Sequence, residues 1–170
     1  MHDNLIFMKN KKTVVITGGN RGIGLGITKV FLENNYLVIV GSRGPIEEDL
    51  YNHKNFIIQV KIDVKKEKDH IKLTKLAIEK TGRLDCYINN AGFSKWSPIG
   101  KIDNGFLSEI IETNLKGVFW GCKAASLYLN SENSSIINIS SIAGKRGSSN
   151  NSAYVATKFG VNGLTQSLSK

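Results

Sequence analysis

Short apolar runs alternate along this chain with longer segments of helical periodicity. The runs are rich in Val and Ile and do not alternate cleanly with polar residues, which is typical of strands buried on both faces of a sheet. The five runs lie at 14–16, 37–40, 56–60, 86–88 and 136–139. Segments long enough for helices lie at 22–34, 67–81 and 103–129.

Repeated alternation of strand and helix predicts the fold class. It favours an α/β fold in which helices cover both faces of a parallel sheet. Right-handed crossovers then give a doubly wound sheet. A length of 170 residues and a hydrophobic content of 41% suit one domain with a buried core. We expect this domain to occupy residues 12–170, after a flexible tail at 1–11.

The charge balance raises the question of an anionic partner. The chain has 23 Lys and Arg against 14 Asp and Glu, a formal net charge of +9. Such a balance suits either nucleic acid or a small anionic ligand. The basic residues are spread along the chain, and no basic stripe interleaved with aromatic residues occurs. We therefore expect no nucleic-acid partner.

The cysteines and histidines give no metal-binding pattern. Cys86 and Cys122 form no CxxC pair, and His2, His53 and His70 lie far apart in the sequence. We expect no metal site and two reduced thiols. No apolar run approaches the roughly 20 residues of a membrane span, and the N-terminus lacks the features of a signal peptide. The sequence predicts a cytoplasmic protein with no membrane partner.

A glycine-rich stretch follows the first predicted strand and opens the first predicted helix. Residues 17–24 place Gly18, Gly22 and Gly24 in the spacing Gly-x-x-x-Gly-x-Gly. Gly18 suits a tight turn, Gly22 a close approach to a pyrophosphate, and Gly24 close packing of helix against strand. The N–H groups at the helix start then face the phosphates. An ordinary glycine-rich turn is the alternative, and the flanking strand and helix favour the dinucleotide-binding Rossmann fold.

The end of the second strand indicates which dinucleotide is bound. A site selective for NAD places an acidic residue there, against the ribose 2′-hydroxyl. This chain has Ser42 and Arg43 at that point and no carboxylate. Arg43 and Arg21 suit a 2′-phosphate, because a guanidinium binds phosphate bidentately and stays charged. The alternative is two solvated surface arginines. We expect NADP(H) as the cofactor.

Further motifs follow the later strands in a regular order. They are Asp63-Val64, Asn89-Asn90-Ala91-Gly92, Asn114, Ser141 and Tyr154-x-x-x-Lys158. Together with the glycine-rich stretch, these motifs resemble the short-chain dehydrogenase/reductase family of the NADP-preferring type. The resemblance extends from Lys12 to the last residue. It implies that the cofactor contacts Thr17, Gly18, Asn20, Arg21, Gly22, Ile23, Gly24, Ser42, Arg43, Asp63, Val64, Asn90, Ala91, Gly92, Tyr154 and Lys158.

The same resemblance implies catalysis by Asn114, Ser141, Tyr154 and Lys158. Tyr154 and Lys158 are spaced i and i+4, so they share one face of a helix, where a nearby ammonium favours the ionised form of a phenol. Such a tyrosine exchanges a proton with a carbonyl oxygen, and Ser141 donates a hydrogen bond to that oxygen. By resemblance, Lys158 also holds the nicotinamide ribose, and Asn114 holds a water of a proton relay.

The resemblance thus implies an NAD(P)-dependent oxidoreductase that interconverts a carbonyl and an alcohol. Its small-molecule substrate is expected to be a 3-oxoacyl thioester, a steroid or a sugar. Family members are usually longer, so we expect a C-terminally truncated chain that lacks the last strands of the family's sheet. Homo-oligomers are expected for full-length members. The alternative function is a dinucleotide-binding module with weak or no catalysis.

Overall fold

Five parallel strands form one sheet in the computed structural model, which describes residues 9, 11–46, 50, 56–129 and 133–170. The order across the sheet is β3-β2-β1-β4-β5. This arrangement confirms the predicted parallel α/β fold. The strands are β1 (Thr13–Thr17), β2 (Leu37–Ser42), β3 (Ile57–Lys61), β4 (Cys86–Asn89) and β5 (Ser135–Asn138).

Helices connect successive strands and flank the sheet. They are α1 (Gly22–Glu33), α2 (Glu67–Thr81), α3 (Asn104–Ile111), α4 (Gly117–Ser126) and α5 (Ser152–Leu168). Helices α3 and α4 belong to the continuous helical segment predicted at 103–129. A π-helical turn, Glu112–Lys116, joins them, and the sequence pattern did not indicate it. Two short 3₁₀ turns, Ile99–Lys101 and Ile142–Gly144, lie in the connections.

The core has two layers, one on each face of the sheet. Val14 and Ile16 of β1 pack on the side of α1, whereas Val15 lies on the other side with Leu73 of α2 and Ala125 of α4. This division follows from the pleat, which points successive side chains of a strand to opposite faces. All residues of β1 and β2 are buried. Burial on both faces explains why the apolar runs do not alternate with polar residues.

The strand order places a crevice at one edge of the sheet. The chain builds β1, β2 and β3 outward in one direction and then crosses to β4 on the other side of β1. At such a reversal, the connections after β1 and β4 leave toward opposite faces of the sheet. The gap between them opens at the carboxyl ends of the strands, where most of the predicted site residues lie.

Several sequence predictions concern features away from this crevice. The predicted tail at 1–11 lies outside the described residues except for residues 9 and 11. Within the described ranges, no helix is long and apolar enough to cross a membrane. Cys86 and Cys122 are buried free thiols. The described residues contain no group of three or more His, Cys, Asp or Glu arranged to hold a metal ion.

Candidate active site

The crevice at the carboxyl edge has a volume of about 620 Å³ and is lined from all five strand ends. This volume lies within the roughly 300–1,000 Å³ usual for small-molecule sites. Thr17, Asn114 and Ser141 are the predicted site residues that do not line it. The predicted residues that do line it are Gly18, Asn20, Arg21, Gly22, Ile23, Gly24, Ser42, Arg43, Asp63, Val64, Asn90, Ala91, Gly92, Tyr154 and Lys158.

The glycine-rich turn has a backbone that side chains would obstruct. Gly18 and Gly22 have φ angles of 65° and 54°, in the left-handed region that favours glycine. A Cβ on Gly24 would lie only 2.2 Å from the carbonyl oxygen of Gly18. Helix α1 then begins with no side-chain cap and no acidic residue in its first turn. Its N-terminal N–H groups and partial positive charge suit a phosphate.

Two arginines add positive charge beside this helix end. Arg21 and Arg43 line the crevice, and both side chains are exposed. In the described part of the chain, neither guanidinium forms an ion pair with a carboxylate. Both charges are therefore available to an anionic group entering from solvent.

Thr17 lies behind the crevice wall and joins two of its turns. Its hydroxyl accepts hydrogen bonds from the backbone N–H groups of Asn90 and Ala91 at 3.1 and 3.2 Å. The side-chain amide of Asn90 donates to the carbonyl oxygens of Thr17 and Gly18 at 3.0 and 3.1 Å. The turns after β1 and β4 are thus held together across the switch point of the sheet.

Asn114 lies in the π-helical turn and is fully buried. Its Nδ2 donates to the carbonyl oxygen of Phe93 at 2.7 Å, and its Oδ1 accepts from the N–H of Phe93 at 3.0 Å. π-Helical turns are frequent at functional sites. Here the turn directs the amide at the segment after β4, and both ends of the amide are occupied. The catalytic role of Asn114 stays a prediction.

Tyr154 and Lys158 lie on the first turns of α5, and both line the crevice. Lys158 is 5% exposed, and its Nζ donates to the carbonyl oxygen of Ile139 at 2.7 Å. Nζ lies 5.7 Å from the centre of the Tyr154 ring. Burial lowers the pKa of the Lys158 ammonium. A buried cation thus lies beside the phenol at the crevice wall.

The segment after β5 places two serines differently. Ser140 lines the crevice, and its hydroxyl donates to the carbonyl oxygen of Lys158 at 3.4 Å. The hydroxyl of Ser141 accepts from the N–H of Ala143 at 3.1 Å and caps the Ile142–Gly144 turn. The structure therefore brings Ser140, not Ser141, to the wall. The catalytic role of Ser141 also stays a prediction.

Some lining residues were absent from the predicted site. Glu109 and Thr113 are spaced i and i+4 on the helical segment that leads into Asn114, and this spacing is a signal the sequence contained. Others follow strand ends next to predicted residues. The unpredicted lining residues are Gly41, Gly44, Ile62, Lys65, Phe93, Ser94, Glu109, Thr113, Ile139 and Ser140.

A buried histidine supports the wall formed by Asp63 and Val64. The imidazole of His70 is fully buried, and its Nε2 donates to the carbonyl oxygen of Val64 at 2.8 Å. Because a carbonyl only accepts, the neutral ring accepts at Nδ1 from the Tyr87 hydroxyl, also at 2.8 Å. The carboxylate of Asp69 accepts from the N–H of Asp63 at 2.8 Å. The first turn of α2 therefore holds this wall at two points.

We expect His70 to make folding stability sensitive to acid. Burial lowers the pKa of His70 below its ordinary value of 6.5, and this effect outweighs the opposing attraction of Asp69 and Asp63. The contribution of the neutral ring is complete above pH 6.5 and is lost as pH falls through the lowered pKa, because the unfolded chain binds the proton first. Each unit of pKa difference corresponds to about 1.4 kcal/mol.

Urea unfolding of wild-type protein and His70→Phe between pH 7.5 and 5 tests this expectation. The variant is less stable at pH 7.5, since it leaves the Val64 carbonyl unpaired. It should then lose on the order of 1–2 kcal/mol less than wild type on acidification. Tyr87→Phe, which keeps the titrating imidazole, should retain acid sensitivity. Parallel profiles for wild type and His70→Phe would contradict the expectation.

Comparison with known proteins agrees with this architecture. The model of the short chain dehydrogenase family matches residues 12–170. L-fucose dehydrogenase of Bos taurus is 37% identical over 164 residues, which are 92% of this chain and 59% of that protein. The 3-oxoacyl-[acyl-carrier-protein] reductase FabG of Staphylococcus aureus is 35% identical over 174 residues, 96% of this chain and 69% of that protein.

Solved structures give the same result. A short-chain dehydrogenase/reductase from Brucella melitensis superposes with a TM-score of 0.85 at 30% identity, covering 95% of this chain and 70% of that one. ElxO with NADP bound superposes with a TM-score of 0.80 at 32% identity, covering 91% and 65%. The sheet and its crevice define a doubly wound α/β protein of the Rossmann type. Within that class, the chain belongs to the short-chain dehydrogenase family.

Proposed function

We propose that this protein is an NADP-dependent oxidoreductase that interconverts a carbonyl and an alcohol. The observation that carries the proposal is the meeting, in one crevice, of the glycine-rich helix start, two unpaired arginines and the Tyr154–Lys158 pair. The names of two relatives, an L-fucose dehydrogenase and a 3-oxoacyl reductase, support sugars and 3-oxoacyl thioesters as substrate classes. A steroid is the third class implied by the family resemblance.

The crevice fits a dinucleotide phosphate. The uncapped start of α1 suits the pyrophosphate, and Arg21 and Arg43 suit a 2′-phosphate. Asp63 and Val64 form the wall beside them, on the side proposed for adenine. A Cβ at Gly24 would fill the close approach to Gly18, so this turn has room only for backbone. The neighbour ElxO, which has NADP bound, supports the choice of cofactor.

The proposed chemistry divides between the cofactor and this chain's residues. When bound, the nicotinamide supplies or accepts a hydride. Tyr154 donates its phenolic proton to the carbonyl oxygen during reduction and removes the alcohol proton during oxidation. The Lys158 ammonium beside it favours the ionised phenol that remains after donation. Ser141 is proposed to donate a hydrogen bond to the reacting oxygen, and Asn114 to hold a relay water.

A second candidate is a dinucleotide-binding protein without turnover. It is favoured by the positions of Asn114 and Ser141, whose side chains bond to Phe93 and Ala143 and do not line the crevice. NADPH titration followed by NADPH oxidation with a panel of sugars, 3-oxoacyl thioesters and steroid ketones separates the two. Binding with turnover supports the reductase, and binding without turnover on any panel member supports the second candidate. The homo-oligomer expected from the family stays a prediction.

Cofactor preference gives a direct test of the NADP proposal. We expect wild-type protein to bind NADPH more tightly than NADH in a fluorescence titration. Arg43→Ala should weaken NADPH binding about 5- to 150-fold, the equivalent of roughly 1–3 kcal/mol for a charge-assisted contact, with little effect on NADH. Arg146→Ala removes an exposed arginine that does not line the crevice and serves as the control. Equal affinities in wild type would contradict NADP preference.

A further inference from the structure

The turn after β2 that carries Arg43 is held by a side chain from the neighbouring strand. Gln59 lies on β3, and its Nε2 donates to the Ser42 hydroxyl at 3.2 Å and to the carbonyl oxygen of Gly44. Its Oε1 accepts from the N–H of Ile46 at 3.3 Å. One amide therefore contacts three points of the Ser42–Ile46 turn.

Two more hydrogen bonds complete the support of this turn. The Ser42 hydroxyl donates to the carbonyl oxygen of Gly44 at 2.7 Å. The side chain of Asn20, in the glycine-rich stretch, donates to the carbonyl oxygen of Pro45 at 3.1 Å. None of these bonds uses the Arg43 guanidinium, which stays exposed at the crevice. The backbone under Arg43 is thus fixed while its charge remains available.

We propose that Gln59 is a specificity-determining positioning residue, which holds the Ser42–Ile46 turn so that Arg43 is placed for the 2′-phosphate. The inference rests on the proposed NADP dependence. Gln59 is not itself among the lining residues, so it acts through Arg43 and is not a catalytic residue.

The physical reason is preorganisation. A turn that must be ordered on binding weakens affinity by the entropy of that ordering, and a turn already held avoids this loss. The task also requires an amide, because one group must donate to two oxygens and accept from one N–H. A glutamate would lose the donor and add negative charge beside the phosphate position. Methionine keeps a similar length and loses every bond.

Calorimetry with two probes tests the proposal on the whole chain. Adenosine 2′,5′-bisphosphate and adenosine 5′-monophosphate differ only in the 2′-phosphate. Gln59→Met should weaken the bisphosphate about 3- to 10-fold, as expected for the loss of one typical hydrogen bond, and leave the monophosphate within about 2-fold. Gln166→Met makes the same exchange at an exposed position on α5 and should change neither affinity.

A double-mutant cycle separates positioning from general stability. If Gln59 acts through Arg43, Gln59→Met should have no further effect on bisphosphate binding in the Arg43→Ala background. Equal weakening of both probes, full additivity with Arg43→Ala, or unchanged preference in Gln59→Met would each overturn the role of Gln59 alone. A wild type that binds the bisphosphate no better than the monophosphate would overturn the 2′-phosphate site, and Gln59's role with it.

Discussion

Replacing Tyr154 with Phe is expected to slow carbonyl reduction by about 10²- to 10⁴-fold and to leave NADPH affinity nearly unchanged. The change removes one oxygen at the crevice wall and keeps the ring beside Lys158. Proton transfer to the carbonyl oxygen needs that hydroxyl. The helix start and the arginines proposed to bind the cofactor lie on other elements and are not altered.

Steady-state rates with the best carbonyl of the panel, together with NADPH titration, measure the two quantities separately. Tyr128→Phe provides a matched control, since Tyr128 packs against the core on the α2 side of the sheet and does not line the crevice. It should keep close to the wild-type rate. A Tyr154→Phe protein with more than about a tenth of the wild-type rate would show that the phenol is not the proton donor.

The second large effect is expected from Gly24→Ala. The new Cβ would lie 2.2 Å from the Gly18 carbonyl oxygen and 2.4 Å from the Asn90 amide nitrogen, so the glycine-rich turn must move away from the start of α1. Overpacking of this kind typically costs about 1–3 kcal/mol of stability. The displaced turn should also lose one or two charge-assisted phosphate contacts, which corresponds to NADPH binding weakened by more than about 100-fold.

Gly26→Ala is the control on the same helix. A Cβ at Gly26 meets no atom within 4 Å, so alanine there should stabilise the protein by up to about 1 kcal/mol through helix propensity. Urea unfolding and NADPH titration of the two variants are compared with wild type. Wild-type affinity in Gly24→Ala would mean that the close approach at this turn is not needed for the cofactor.

The two halves of the crevice differ in how directly they support a function. The phosphate side is assembled from groups already directed at a ligand: a bare helix start and exposed guanidiniums. On the other side, Tyr154 and Lys158 line the wall, while Asn114 and Ser141 bond elsewhere. Cofactor binding and turnover therefore need separate measurements, and the substitutions proposed above address them one at a time.

Much of the fold followed from local features of the sequence. Strands buried on both faces must be apolar at every position, so five unbroken apolar runs located β1 to β5 within one or two residues. Turns at the carboxyl ends of parallel strands meet at one edge, so short motifs after each run indicated a common crevice. The glycine spacing predicted the tight turn because φ angles such as that of Gly18 favour glycine.

Only the tertiary structure decided which side chains reach the crevice and which ones support it. The π-helical turn has no distinct sequence periodicity, and the partner of Asn114, the backbone of Phe93, is 21 residues away. Adjacent serines after β5 point to different sides, so the position of β5 in the sheet brought Ser140 to the wall and not Ser141. The supports from His70 and Gln59 depend on which elements pack together and on the register of β3 with β2. Such long-range pairings are set by the packing of the whole sheet, and no local stretch of sequence contains them.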